Sequence, residues 1–91
     1  MTSRIIKYRL DPVRRQTIEV PAGSFVSHVH EQDGAATLWL IRPAGMPLLH
    51  KWQVTCLSTG DSIPDDAGRH VGTAHIHSGR TVVHVFVKEP T

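Results

Sequence analysis

The chain has 91 residues, 40% of them hydrophobic and 20% charged, with a formal net charge of +2. That balance belongs to ordinary globular domains and excludes disordered, collagen-like and membrane-spanning classes. One domain over residues 1–91 is expected, because a chain this short has material for one core.

Cys56, the only cysteine, excludes an internal disulfide framework. No window approaches the ~18 apolar residues of a membrane span, and "MTSRIIKYRL" lacks the unbroken apolar run of a secretory signal. The expected setting is the cytoplasm, with no membrane partner. Five of the ten basic residues, Arg4, Lys7, Arg9, Arg14 and Arg15, fall in the first fifteen positions. Only Tyr8 stands among them as a stacking aromatic, so nucleic acid is not the expected partner.

In chain order, short runs rich in Val, Ile, Thr and aromatics alternate with turn residues, and helical periodicity is nearly absent. The expected fold is all-β: a small antiparallel β-sandwich or partly open barrel of about six or seven strands built from hairpins. "RIIKYRL" (4–10) places Ile6, Tyr8 and Leu10 on one face, and "RQTIEVP" (15–21) pairs Ile18 with Val20 before Pro21 and Gly23 end it. "SFVSHVHEQDGAATLWLIRP" reads as a hairpin around Asp33-Gly34, a dipeptide suited to a type I′ turn. Gln32 then faces Ala35, His30 faces Thr37 and His28 faces Trp39. Ile41 shares that side, while Val29, Leu38 and Leu40 take the core side.

"RPAGMP" is a loop, and "HKWQVTCLST" alternates Trp52, Val54 and Cys56 against Lys51, Gln53 and Thr55. "TGDSIPDDAG" (59–68) is a second loop whose acids Asp61, Asp65 and Asp66 suit turn chemistry. "RHVGTAHIHSGRTVVHVFV" closes the chain as a hairpin around Ser78-Gly79. A two-residue turn there sets His77 against Arg80, His75 against Val82, Thr73 against His84 and Val71 against Phe86, with Ala74, Ile76, Val83, Val85 and Val87 facing the core.

Taken together, "KYRL", "QTIEVPAG", "DGAATLW", "TGDSIPDD" and "VGTAHIHSGRTVVHVF", in this order over nearly the whole chain, resemble a family of short proteins of tailed bacteriophages and prophages. Gly72, Thr73, His84 and Phe86 follow that family's pattern, whereas His30, His75 and His77 stand where it has other polar residues. The family has no established activity, cofactor or catalytic residue, so the resemblance implies a source and transfers no site. It makes the host cytoplasm the expected location, with a virion or capsid-decorating role as a competing expectation.

Two His-x-His pairs invite a metal reading. Residues i and i+2 share a strand face, so His28 with His30 and His75 with His77, joined by His84, could hold an ion such as zinc. The pairs resemble cupin ligands, but Glu31 alternates away from His30 and the later Gly-rich cupin motif is missing. Strand alternation alone explains the pairs, and no cofactor is expected. Cys56 alternates with core residues and reads as an inert thiol. Nothing matches a nucleophile elbow, a phosphate loop or paired catalytic carboxylates, so the chain is not expected to be an enzyme.

The strands "TLWLI" and "TVVHVFV" are apolar on both faces, where a small sheet with one wet face should alternate. Trp39, Ile41, Val82 and Phe86 are therefore expected to form an apolar patch for another chain, with His28, His75 and His84 as polar contacts. The expected function is non-enzymatic: a self-associating β-domain, a homodimer or higher homo-oligomer, that binds a host or defence protein or a small ligand at a subunit junction.

Overall fold

The computed structural model describes residues 2–45 and 48–90. Of the loop expected over residues 42–47, Met46 and Pro47 lie outside the described residues. Seven strands form: β1 (Arg4–Arg9), β2 (Arg15–Pro21), β3 (Phe25–Gln32), β4 (Ala35–Arg42), β5 (Leu49–Leu57), β6 (Arg69–Ile76) and β7 (Thr81–Lys88). They build two antiparallel sheets, a three-stranded sheet A in the order β1-β4-β3 and a four-stranded sheet B in the order β2-β5-β7-β6. The expected all-β sandwich is the observed fold, and the sheets do not close into a barrel.

The core lies between the layers. Val20, Leu38, Leu40, Val54, Val85 and Val87 are buried there, each contributing about 1.5–3 kcal/mol through the apolar surface it withdraws from water. Ile6 and Tyr8 pack against this cluster from β1, as the alternation of "RIIKYRL" requires. One lateral edge is tied by the Tyr8 hydroxyl, which donates to the Glu19 carbonyl at 2.7 Å, joining β1 of sheet A to β2 of sheet B. At the other edge β3 rests on β6. The sheets approach there because Gly72 has no side chain: a Cβ at that position would lie 2.7 Å from Val29 Cβ.

The β3–β4 hairpin has the expected register, with Gln32 opposite Ala35, His30 opposite Thr37 and His28 opposite Trp39. Asp33 (φ 52°) and Gly34 (φ 82°) both take the left-handed region that a type I′ turn demands. The Glu31 carboxylate accepts a hydrogen bond from Gly34 N–H at 2.7 Å, fixing the turn. Between His28 and Val26 the register shifts at a bulge, so Val26 lies opposite Leu40 and Phe25 opposite Ile41.

The β6–β7 hairpin keeps its expected register up to the turn and departs from it at the far end. His75 faces Val82 and Thr73 faces His84 as read from the sequence, and the last paired strand residues are Ile76 and Thr81. His77 (φ 52°) and Ser78 (φ 58°) both turn left-handed, and Gly79 N–H bonds the Ile76 carbonyl at 3.1 Å. His77 is thus a turn residue, yet its carbonyl accepts from the Arg80 N–H at 3.1 Å, so the two stand opposite each other as expected. A second shift between His70 and Gly72 puts His70, rather than Val71, opposite Phe86.

Candidate binding surface

The outer face of sheet A is a grid of three cross-strand rows. Ile5, Ile41 and Phe25 form the first, Lys7, Trp39 and His28 the second, and Arg9, Thr37 and His30 the third. Ile5 is 72% exposed and Phe25 53%, with Ile41 and Trp39 half-buried between them. His28 lies with its ring centroid 6.2 Å from Trp39 and 5.5 Å from His30, so three rings line one side of the grid. Lys7 Nζ donates to Gln32 Oε1 at 2.7 Å, a neutral partner that leaves the ammonium charge uncompensated. None of the nine grid positions is an acid.

The outer face of sheet B differs because the chain covers the part of it around Phe86. Phe86, His84 and Val82 point outward from β7, yet Phe86 is only 7% exposed. It packs with Leu57 and Ala67 in a small second cluster roofed by the segment after β5. That segment is pinned to the sheet: Arg15 donates two hydrogen bonds to the Asp66 carboxylate at 2.9 and 3.0 Å, and Arg14 lies 3.8 Å from Asp61. The Arg15 guanidinium holds the Asp66 carboxyl below its ordinary pKa, mainly through these hydrogen bonds. Thr55, opposite Arg15 and Phe86, is fully buried, and its Oγ1 has no hydrogen-bond partner among the described residues.

At the rim of this roof His84 is held between two hydroxyls. Thr59 Oγ1 lies 2.8 Å from its Nε2 and Thr73 Oγ1 lies 3.0 Å from its Nδ1, while His70 Nε2 approaches the same Thr73 oxygen at 3.1 Å. The His70 ring sits 5.2 Å from Phe86. The Thr59–His84 distance is that of a nucleophile and its base, but a hydroxyl stands where a carboxylate would orient the imidazole, and the contacts join the loop to β6 and β7. A shallow cavity of about 360 Å³ lies beside them, lined by Ile63, His70, His84 and Phe86 among others.

The expected patch of Trp39, Ile41, Val82 and Phe86 does not form. Trp39 and Ile41 lie outside sheet A, Val82 and Phe86 outside sheet B, so the pairs sit on opposite sides of the sandwich. The polar contacts divide likewise, with His28 on sheet A and His75 and His84 on sheet B. For the metal expectation, His28 and His30 share the sheet A face, His75 is on sheet B and His77 is in a turn. Among the described residues no group of three or more His, Cys, Asp or Glu converges to hold a metal ion.

Ile5, Lys7, Arg9 and Phe25 belong to the sheet A face but were not singled out from the sequence. Ile5, Lys7 and Arg9 were implicit in the alternation that turned Ile6 and Tyr8 inward. Phe25 was not, since regular alternation would place it with Val29, and only the bulge turns it out.

A further cleft of about 590 Å³ opens between the layers at the end that carries both hairpin turns. Leu10, Ala36, Cys56 and Val83 are among its walls, and burial pushes the Cys56 thiol up to about 11.

A family model for a domain of unknown function (DUF7352) matches residues 1–91. No curated protein and no solved structure matches the chain.

Proposed function

We propose, for a chain that belongs to the DUF7352 family of domains of unknown function, a role as a non-enzymatic binding domain whose contact surface is the outer face of sheet A. One observation carries this reading: the chain roofs the apolar Leu57 and Phe86 on the outer face of sheet B with its own loop but leaves the Ile5, Ile41 and Phe25 row of sheet A open. Exposed apolar side chains beside Trp39 and His28 are the composition of an anchor region, where aromatic groups supply contact area and histidines adaptable polar contacts. The similarity to small phage and prophage proteins read from the sequence adds an accessory role in the host cytoplasm to the proposal. Self-association through the Ile5, Ile41 and Phe25 row is a second reading, favoured by the exposure of Ile5 and Phe25.

The test is affinity capture from bacterial lysate, with protein and nucleic acid both identified, alongside sedimentation velocity of the purified chain. Phe25→Ser and Trp39→Ala are expected to abolish capture or self-association. Lys51→Ala, on the far side of the sandwich, is expected to leave both intact. A monomer that captures nothing the sheet A variants lose overturns the reading.

A further inference from the structure

The charge on the sheet A face has one sign. Lys7 and Arg9 project from β1, no carboxylate shares their face, and among the described residues neither forms an ion pair with an acid. In and next to sheet B, by contrast, Arg14, Arg15 and Arg69 each meet a carboxylate. Stacking groups missing beside the basic residues in the sequence are supplied by the fold: Trp39 lies directly across from Lys7, His28 beyond it, and His30 two strands from Arg9. Phe25 adds a further exposed ring at the end of the grid.

From this juxtaposition we propose that the outer face of sheet A binds single-stranded nucleic acid, with Trp39, His28 and Phe25 stacking on bases and Lys7 and Arg9 meeting phosphates. The proposal rests on the reading of this face as the contact surface. The rows extend about 13 Å along the strands, room for two or three bases splayed over a flat sheet. Rings on the central strand and one outer strand, with cations along the other outer strand, suit unpaired bases, which expose a π-face to any aromatic group, whereas a duplex hides its bases in grooves that a flat face cannot enter. A second copy of the chain fits less well, because a symmetric face-to-face contact would enclose Lys7 and Arg9 of both copies with no acid on either face to pair them.

The experiment is fluorescence anisotropy of labelled oligothymidylate and oligouridylate of about 16 nucleotides, the upper size of a single-domain site, titrated with the full chain over a range of salt. Binding is expected to weaken with salt, and Lys7→Ala should reduce the log–log slope by about 0.7, the share of one phosphate contact on a single strand. Trp39→Ala should weaken binding about five-fold or more through the lost stacking. Lys51→Ala, with the same charge change on the opposite face, should match the wild type. Circular dichroism of each variant checks the fold, and Lys7→Ala, being exposed, stands as the test if Trp39→Ala fails to fold.

No binding at low salt overturns the proposal, as does equal affinity for a duplex of the same length, or equal loss in Lys7→Ala and Lys51→Ala. If nucleic acid fails while Phe25→Ser and Trp39→Ala still abolish self-association or capture of a protein, the face is the contact surface and its partner is not a nucleic acid. If those variants change nothing either, both readings fall.

Discussion

Cys56 projects from β5 into the open end of the sandwich, where neighbouring apolar groups disfavour its thiolate and raise its pKa to about 11 from an ordinary 9.0. Alkylation by iodoacetamide near pH 8 should therefore be on the order of 100-fold slower in the folded chain than in urea, read by mass spectrometry. The sign for stability follows from a folded pKa raised above the unfolded one. The contribution is complete below about pH 9 and is lost as pH rises from 9 toward 11, by at most about 3 kcal/mol. Urea midpoints should fall over that window in the wild type, and Cys56→Ala should remove that part of the fall. Thr55 shows the opposite kind of burial, a hydroxyl enclosed without a partner. Thr55→Val keeps the branched shape and removes the orphan, so its urea midpoint should rise, corresponding to about 1 kcal/mol.

At the scale of elements, the β3–β6 contact depends on Gly72. A methyl group there would meet Val29 Cβ and Cγ2 at 2.7 and 2.8 Å, and both strands are held in their own sheets. Gly72→Ala should destabilise the fold by about 1–3 kcal/mol, as overpacking does, measurable as a lower Tm. Pairing Val29→Ala with it should recover part of the loss. Turn chemistry made the β3–β4 register legible, because Asp33-Gly34 specifies a two-residue turn and the opposed pairs from Gln32–Ala35 to His28–Trp39 follow from it. The β6–β7 hairpin was legible from its turn as far as Thr73 and His84. Ser-Gly at 78–79 marked the turn, although the left-handed conformation extends one residue earlier onto His77, and Gly72 is the one sequence mark beside the bulge that carries His70 opposite Phe86.

For the molecule as a whole, alternation reads whether a side chain points in or out but not which layer it points from. Trp39 and Phe86 carried the same outward label, and pairing alone places one outside sheet A and the other outside sheet B. The doubly apolar strands were a sound signal with two causes: β7 is roofed by the chain's own loop, whereas β4 faces open solvent. The loop's covering role was hidden because Asp61 and Asp66 read as turn formers, and only the fold brings Arg14 and Arg15 onto them. The two bulges have a separate consequence, since they fall on β3 and β6, outer strands of different sheets that lie against each other. Each interrupts the regular row of free backbone donors and acceptors that an incoming strand would need as a template. This side of the molecule resists strand addition, and so resists the edge-to-edge polymerisation open to small β-proteins.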